Sequence, residues 1–282
     1  MKFISDRDQT ILEALAQLSP DSSKTTLRSW LKEGRVSVNG QTVKLSTAQV
    51  LKYQVVTVGV RIRYLPGDLR LYYEDQHIVV LEKPIGLLSV AAAFDEEETV
   101  HKFLKNHYKP RKVYVVHRLD QDTSGVMLFA LSEEAYNQLK VDFEKHDIER
   151  HYTAVVEGQL QSDKGTWRSY LYEDSQYVVH STQNPTEGRL AVTHYEVTKR
   201  SKQRTLLNIR LETGRKNQIR VHCKEAGHPV VGDKKYGAQT NPAKRLCLHA
   251  HVLGLHHPIT KKWMRFQSDP PDIFSKILHN SL

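Results

Sequence analysis

Cysteine is scarce in this chain of 282 residues, and long apolar runs are missing. The two cysteines, Cys223 and Cys247, are too few for a disulfide framework or a four-thiolate zinc site. No apolar run approaches the roughly 18 residues of a membrane-spanning helix, and the first residues lack the apolar core of a signal peptide. The sequence therefore predicts a soluble, cytoplasmic protein without a membrane partner.

Glycine-rich phosphate loops are also missing. The chain contains neither a Walker loop nor the pattern G-x-G-x-x-G, the two common loops that hold nucleotide phosphates. We therefore expect no nucleotide cofactor.

Positive charge is in excess and unevenly spread. The chain has 41 Lys plus Arg against 32 Asp plus Glu, a formal net charge of +9. Residues 1–64 hold ten Lys plus Arg against five Asp plus Glu, so they carry +5 and the remainder +4. Such a surplus fits a nucleic-acid partner as well as an ordinary basic protein. The distribution predicts a small basic domain at 1–64, a linker at 65–72 around Pro66-Gly67, and a larger domain at 73–282.

The basic domain has the pattern of two helices and a hairpin. Apolar residues recur at helical spacing from Ile11 to Leu18 and from about Thr25 to Glu33, and Gly34 follows as a C-cap. Asn39-Gly40 after an alternating strand is a strong hairpin signal. Basic side chains at three- and four-residue spacing can share one helix face and reach RNA phosphates, namely Lys24, Arg28, Lys32 and Arg35.

The string from Lys24 to Gly40 resembles the S-four-like RNA-binding domain. The resemblance implies that this small α/β domain binds RNA. Tyr53-Gln54 stands where that family usually has Gly-Asp before its last strand, so the final turn is expected to differ.

The larger domain is dominated by short alternating segments that are not regularly interleaved with helices. Strands are predicted at 78–81, 113–116, 126–131, 153–156, 177–180, 206–211 and 246–253, and helices at 99–108, 133–144 and 217–226. This pattern predicts an α+β domain around a mixed, largely antiparallel central sheet rather than a doubly wound fold.

The most informative segment is HRLDQDTSG, from His117 to Gly125, which lies between two apolar runs. It places one carboxylate, Asp120, beside a cation, Arg118, in a polar turn at the mouth of a sheet. The string resembles the catalytic signature H-R-L-D-x-x-T-S-G of the RluA family of pseudouridine synthases at each fixed position. The resemblance implies an enzyme that isomerises uridine in RNA without a cofactor, with Asp120 as the essential carboxylate.

Two further blocks resemble motifs of the same family. In Glu82–Leu87, Lys83 is open to two interpretations, a direct RNA contact or part of a plain turn. In Arg150–Gly158, Tyr152 is either a core residue or, as the resemblance implies, the wall against the flipped uracil. In the second case Tyr152 is the candidate base or shuttle for the proton at carbon 5.

The block Glu212–His222 resembles T-G-R-x-H-Q-I-R-x-H but has Asn217 where the family usually has His. Because Asn is a good N-cap residue, we expect the turn-to-helix arrangement to survive. Either Arg215 or Arg220 should pair with Asp120, which favours the charged carboxylate, and Arg220 is the favoured partner. RNA contacts are expected from Lys83, His117, Arg118 and Arg215.

Other interpretations remain open. Family members with an S-four-like domain tend to act on large-subunit ribosomal RNA, which is therefore the favoured substrate, and transfer RNA is the alternative. A non-catalytic ribosome-assembly factor and a hydrolase using Ser124 are weaker hypotheses, the latter because no G-x-S-x-G elbow is present. No cysteine or carboxylate completes a ligand set at close spacing with the histidines at 249, 251, 256 and 257, so we expect no metal. We expect a monomer.

Overall fold

The computed structural model describes residues 1–59, 63–91 and 98–279, and the chain divides into two compact units, Met1–Arg63 and Tyr64–Leu282. The first unit contains strands β1 to β6 and helices α1 and α2. Their bounds are β1 Lys2–Ile4, β2 Gln9–Thr10, α1 Ile11–Leu18, α2 Lys24–Lys32, β3 Val36–Val38, β4 Gln41–Thr42, β5 Gln49–Val50 and β6 Val55–Val58.

Local chemistry fixes the two helices and the hairpin of the first unit. Thr10 and Glu13 form a reciprocal capping box at the start of α1, and Ser23 caps α2. Gly34 has φ +68°, and Asn39 and Gly40 have φ +47° and +84°, as a tight hairpin between β3 and β4 requires. The predicted helices and hairpin are confirmed.

The basic residues of this unit do not form a uniform surface. Lys24, Arg28 and Lys32 are exposed along α2. Arg35 is instead engaged within the unit, because its Nε donates to the Gly59 carbonyl at 3.0 Å and its guanidinium lies 5.2 Å from the centre of the Trp30 ring. Arg35 is therefore less available to RNA than the sequence pattern indicated.

The second unit is built on a large sheet with helices on both faces. Its strands are β7 Arg63–Leu65, β8 Leu69–Glu74, β9 Ile78–Lys83, β10 Tyr114–Val115, β11 Ser124–Ala130, β12 Glu149–Glu157, β13 Lys164–Glu173, β14 Val179–Thr182, β15 Arg189–Arg200, β16 Arg204–Leu211, β17 Leu248–His256 and β18 Trp263–Gln267. Its helices are α3 Val100–Tyr108, α4 Glu133–Glu144, α5 Gln218–Glu225 and α6 Ile273–His279, with a 3-10 turn at Lys234–Tyr236.

The strand order is β14-β13-β15-β16-β12-β17-β11-β9-β8-β7, with β10 added to β11 and β18 to β17. Strand β11 pairs with β17 in parallel, whereas β12 pairs antiparallel with both β16 and β17, and β9 antiparallel with β11. The predicted α+β class with a mixed, largely antiparallel sheet is confirmed.

Strand β11 lies at the centre of this sheet with both faces covered. Met127 and Phe129 pack with Leu104 of α3 on one face of the strand. The alternate residues Val126, Leu128 and Ala130 pack with α4 on the other face. A strand buried on both faces has a continuous apolar sequence, as this one does.

The predicted linker at 65–72 is wrong. These residues belong to β7 and β8, and the Pro66-Gly67 turn joins the two strands within the sheet. Leu65, Leu69 and Leu71 are buried in the same core as β11, which explains why this segment is part of the sheet and not a linker between domains. The long strands β13 and β15 were also not predicted, because exposed polar residues alternate along them.

Candidate active site

Residues 117–123 form a loop that enters the centre of the sheet at β11. Its end approaches β17 closely: a Cβ on Gly125, whose φ is +121°, would lie 2.2 Å from the Ala250 carbonyl oxygen. Ser89 Oγ donates to the Leu119 carbonyl at 2.6 Å and accepts from the Leu119 amide at 3.1 Å. These contacts fix the loop on both sides of Asp120.

His117 supports the loop from inside. Its Nε2 accepts a hydrogen bond from the Leu128 amide at 3.0 Å, and its ring stacks on Phe143 at 5.0 Å between centroids. Burial, with the charge of Arg150, lowers the pKa of His117 to about 3. The imidazole is therefore neutral, and the nitrogen bonded to Leu128 is unavailable to the RNA contact that the sequence analysis expected.

Lys83 also supports the loop, and the predicted RNA contact by this residue is wrong. Its side chain is 0% exposed, and Nζ donates to the carbonyls of Pro84, Leu87 and Gln121 at 2.9, 2.6 and 2.7 Å. Burial lowers the pKa of Lys83 to about 8, against the opposing charges of Asp122 and Asp120. A buried ammonium with three carbonyl acceptors joins the end of β9 to the loop.

Asp120 is presented with one oxygen held. Asn217 Nδ2 donates to Asp120 Oδ2 at 2.6 Å, and Arg220 Nη1 lies 3.5 Å from the same oxygen. Among the described residues, no hydrogen bond reaches Oδ1. The carboxylate is about a quarter exposed, so Oδ1 can meet a substrate.

Asn217 was missed as a site residue. It is the N-cap residue of α5, so the expected turn-to-helix arrangement survives, but the expected side-chain cap is absent. Its φ is +53°, its Nδ2 donates to Asp120, and its Oδ1, the atom that would cap the helix, accepts from Tyr236 instead. Tyr236 Oη donates to Asn217 Oδ1 at 3.2 Å and accepts from the Val179 amide at 3.3 Å. With its oxygen occupied by the tyrosine proton, Asn217 can present only its NH₂ group to the carboxylate.

Arg220 forms its strongest pair with a different carboxylate. Its Nε and Nη2 donate to the two oxygens of buried Asp233 at 2.7 Å each, and the guanidinium lies 4.9 Å from the Tyr236 ring centre. Burial alone would lower the pKa of Arg220, but Asp233 and Asp120 outweigh it and raise that pKa. Arg215, the other candidate partner for Asp120, is exposed and donates to the Leu190 carbonyl instead.

Tyr152 forms a wall of the cleft over Asp120. A register shift between His151 and Tyr152 interrupts the pairing of β12 with β17, which reorients the tyrosine relative to a regular strand. Burial raises the pKa of Tyr152 to about 12, with Arg150 opposing and Asp120 adding to the effect. The phenol therefore stays protonated at neutral pH. Arg118, Arg215 and Asn217 line the same cleft.

The serine of the hydrolase hypothesis and the histidines considered as metal ligands lie outside the cleft over Asp120. Ser124 Oγ contacts His249 Nδ1 at 2.8 Å and accepts from Arg245 at 2.7 Å, buried below the loop. His251 bonds the Ser268 carbonyl, and His257 bonds Asp75. No cluster of three or more metal-ligating side chains occurs in the part of the chain that the structure describes. None of the described helices has the length and apolar character of a membrane span.

Comparison of the whole sequence with known proteins gives consistent relatives. The family model for RNA pseudouridylate synthase matches residues 77–225, more than half of the chain. The uncharacterised RNA pseudouridine synthase YlyB of Bacillus subtilis is 34% identical over 97% of this chain and 94% of its own length. Ribosomal large subunit pseudouridine synthase D is 33% identical in Pasteurella multocida, over 98% of this chain and 92% of the relative. The Escherichia coli K12 protein of that name is also 33% identical, over 93% and 87%.

Solved structures agree in fold. Human RNA pseudouridylate synthase domain containing 1 superposes with a TM-score of 0.60 at 23% identity, covering 72% of this chain and 84% of the human one. Human RNA pseudouridylate synthase domain containing 4 gives the same TM-score at 22% identity, over 74% and 91%. These two structures show the same fold. The family model and the relatives at 33–34% identity over nearly the whole chain show that the chain belongs to the RNA pseudouridylate synthase family.

Proposed function

We propose that this chain isomerises uridine to pseudouridine in large-subunit ribosomal RNA, with Asp120 as the catalytic carboxylate. The observation that carries the proposal is the geometry of Asp120, which is held at Oδ2 by Asn217 and Arg220 and is open at Oδ1. Support for the substrate comes from relatives named ribosomal large subunit pseudouridine synthase D, which match nearly the whole chain.

The reaction needs few groups. The bond between ribose C1′ and uracil N1 breaks, the detached base turns, and a bond forms between C1′ and C5. The proton on C5 leaves and N1 gains one, so atoms balance without a redox partner. A single carboxylate beside the sugar and a surface that holds the detached base are therefore sufficient.

The residues of the site take up these tasks. Asp120 Oδ1 faces the sugar, where it attacks C1′ or removes the neighbouring C2′ proton. The uridine must leave its stack, which costs a few kcal/mol, and packing on the Tyr152 ring offsets part of that cost. Because the pKa of Tyr152 is raised to about 12, its hydroxyl acts as a neutral phenol, and direct removal of the C5 proton by a phenolate is disfavoured.

The first unit serves RNA binding in this proposal. Lys24, Arg28 and Lys32 are exposed on α2 at four-residue intervals, where they can meet phosphates of the RNA backbone. We further propose that residues 1–63 are an S-four-like domain and that the enzyme acts as a monomer in the cytoplasm.

Tritium release tests the proposal. Unmodified transcripts of large-subunit ribosomal RNA and of transfer RNA, labelled with tritium at uracil C5, are incubated with the wild type and with Asp120→Ala. We expect release from the ribosomal transcript by the wild type alone. Release from transfer RNA only would move the substrate to that class, and no release with tight binding retained would favour a non-catalytic assembly factor.

A further inference from the structure

A second cleft opens beside the one over Asp120. It has a volume of about 500 Å³ and lies between the loop that carries His117, the end of α4, and the turn at Gly214. Arg118, Tyr152 and Arg215 line both clefts, so the two are adjacent. We call this second space the α4 cleft.

Arg150 is an unusual residue of the α4 cleft because it is buried without a counter-ion. Its side chain is 8% exposed, and its guanidinium lies 5.6 Å from the Phe143 ring centre. Nη2 donates to the Glu212 carbonyl at 3.1 Å, while the buried Nε has no hydrogen-bond partner. In the described part of the chain, no carboxylate lies within ion-pair distance of Arg150.

Gly214, opposite Arg150, leaves room for the guanidinium. A Cβ on Gly214 would lie 2.5 Å from Arg150 Nη1, so a larger residue there would displace the guanidinium. The side chain is thus seated between Phe143 and Gly214 at the wall of the cleft.

The charge in the α4 cleft favours an anion. Four cations line it, Arg118, Lys140, Arg150 and Arg215, against one carboxylate, Glu144. An unpaired buried cation is costly unless a ligand supplies the missing charge. Arg150 lies in a cleft that is adjacent to the cleft over Asp120.

We propose that the α4 cleft binds a backbone phosphate of the RNA strand next to the target uridine, with Arg150 as the central contact and Lys140 and Arg118 around it. The proposal rests on the proposed function and specifies how the substrate strand is held. A flipped uridine over Asp120 remains attached to its neighbours through phosphates, and the strand must leave the catalytic cleft through a space connected to it. Guanidinium groups are common phosphate ligands in nucleic-acid recognition, and Arg150 lines the cleft.

The test is the salt dependence of RNA binding by Arg150→Met, Arg150→Lys and the wild type. Each neutralised phosphate contributes roughly 0.7 to the slope of log affinity against log salt for single strands. We expect Arg150→Met to bind the ribosomal transcript about tenfold more weakly at moderate salt and to lose one such increment of slope. Arg150→Lys should keep the slope. A purely structural role would lower stability without this pattern.

Two more variants keep the experiment decisive. Lys140 is exposed on α4, so Lys140→Met should fold normally. We expect it to weaken RNA binding as well, so it tests the phosphate site even if Arg150→Met is unstable. Lys262→Met removes a positive charge from the exposed turn between β17 and β18, as a control for net charge, and should leave the slope unchanged.

The outcomes separate this proposal from the proposed function. If the wild type isomerises ribosomal RNA and neither Arg150→Met nor Lys140→Met changes affinity or slope, the phosphate site is refuted and the function stands. If the wild type binds an RNA without isomerising it and both variants lose slope, the function is refuted and the phosphate site stands. If the wild type binds neither transcript, both proposals fail.

Discussion

Removal of the Asn217 amide is expected to slow catalysis more than it weakens RNA binding. The amide donates at 2.6 Å to Asp120 Oδ2, and a hydrogen bond to a charged group contributes about 1.5–3 kcal/mol. If this bond orients the carboxylate for the transition state, its loss lowers the single-turnover rate by roughly 10- to 150-fold, at 1.36 kcal/mol per factor of ten.

The backbone at position 217 calls for a pair of variants. Asn217 has φ +53°, a conformation that glycine adopts freely and that costs most other residues roughly 1–2 kcal/mol. Asn217→Ala should therefore be less stable than Asn217→Gly by about 1 kcal/mol, whereas both should show the same loss of rate. Asn217→His introduces the residue that the family usually has here and should restore most of the rate, because His also tolerates this conformation and can donate to Asp120.

The assay is tritium release in single turnover, with enzyme in excess over the transcript, alongside thermal unfolding of each variant. A wild-type rate in Asn217→Gly would show that the amide does not position Asp120. A rate loss in Asn217→Ala alone would assign the effect to the backbone rather than to the hydrogen bond.

Three other substitutions test the rest of the site. Asp120→Asn should abolish tritium release while RNA affinity stays within a few fold, and loss of both would make Asp120 structural. Lys83→Met should lower the free energy of unfolding by on the order of 3 kcal/mol, because three carbonyls lose their donor, and a stable variant would refute that role. Because the folded pKa of His117 is about 3, below the unfolded value near 6.5, stability falls as pH drops through that window, by up to about 1.4 kcal/mol per pH unit. His117→Gln should remove that part of the slope in urea unfolding at pH 7, 6 and 5, and an unchanged slope would contradict a neutral His117.

Much of the fold could be predicted because its signals are local. Helix α4 was predicted with the bounds observed, Glu133–Glu144, and the central strand β11 shows as an apolar run. Strands β13 and β15 were missed because they lie toward one end of the sheet, where one face of each strand meets solvent and polar residues interrupt the apolar pattern. The linker prediction failed because a Pro-Gly turn has the same sequence signal between domains as within a hairpin.

The contacts that hold the site could not be predicted, because they join distant parts of the chain. The resemblance pointed to Asp120, but the contact between Asp120 and Asn217 spans 97 residues. Asn217 was noticed only as a departure from the family pattern, and the expected N-cap role was the best local interpretation of an Asn before a helix. Lys83 was similarly ambiguous, since a lysine after a strand gives no sign of whether its ammonium will be buried.

The electrostatic balance of the site follows from these distant contacts. Asp233 accepts two hydrogen bonds from Arg220, from Nε and Nη2, at 2.7 Å each. Arg220 Nη1 lies 3.5 Å from Asp120 Oδ2, so most of the guanidinium charge is paired with Asp233. Two carboxylates and one guanidinium leave the group with a net charge of −1. The shorter contact to Asp120 comes from Asn217, which is neutral and so orients the carboxylate without cancelling its charge. In the proposed mechanism, a full ion pair would also orient Asp120 but would make it a weaker nucleophile or base, because its charge would be stabilised in the ground state. The site thus separates the task of orienting Asp120 from that of balancing its charge.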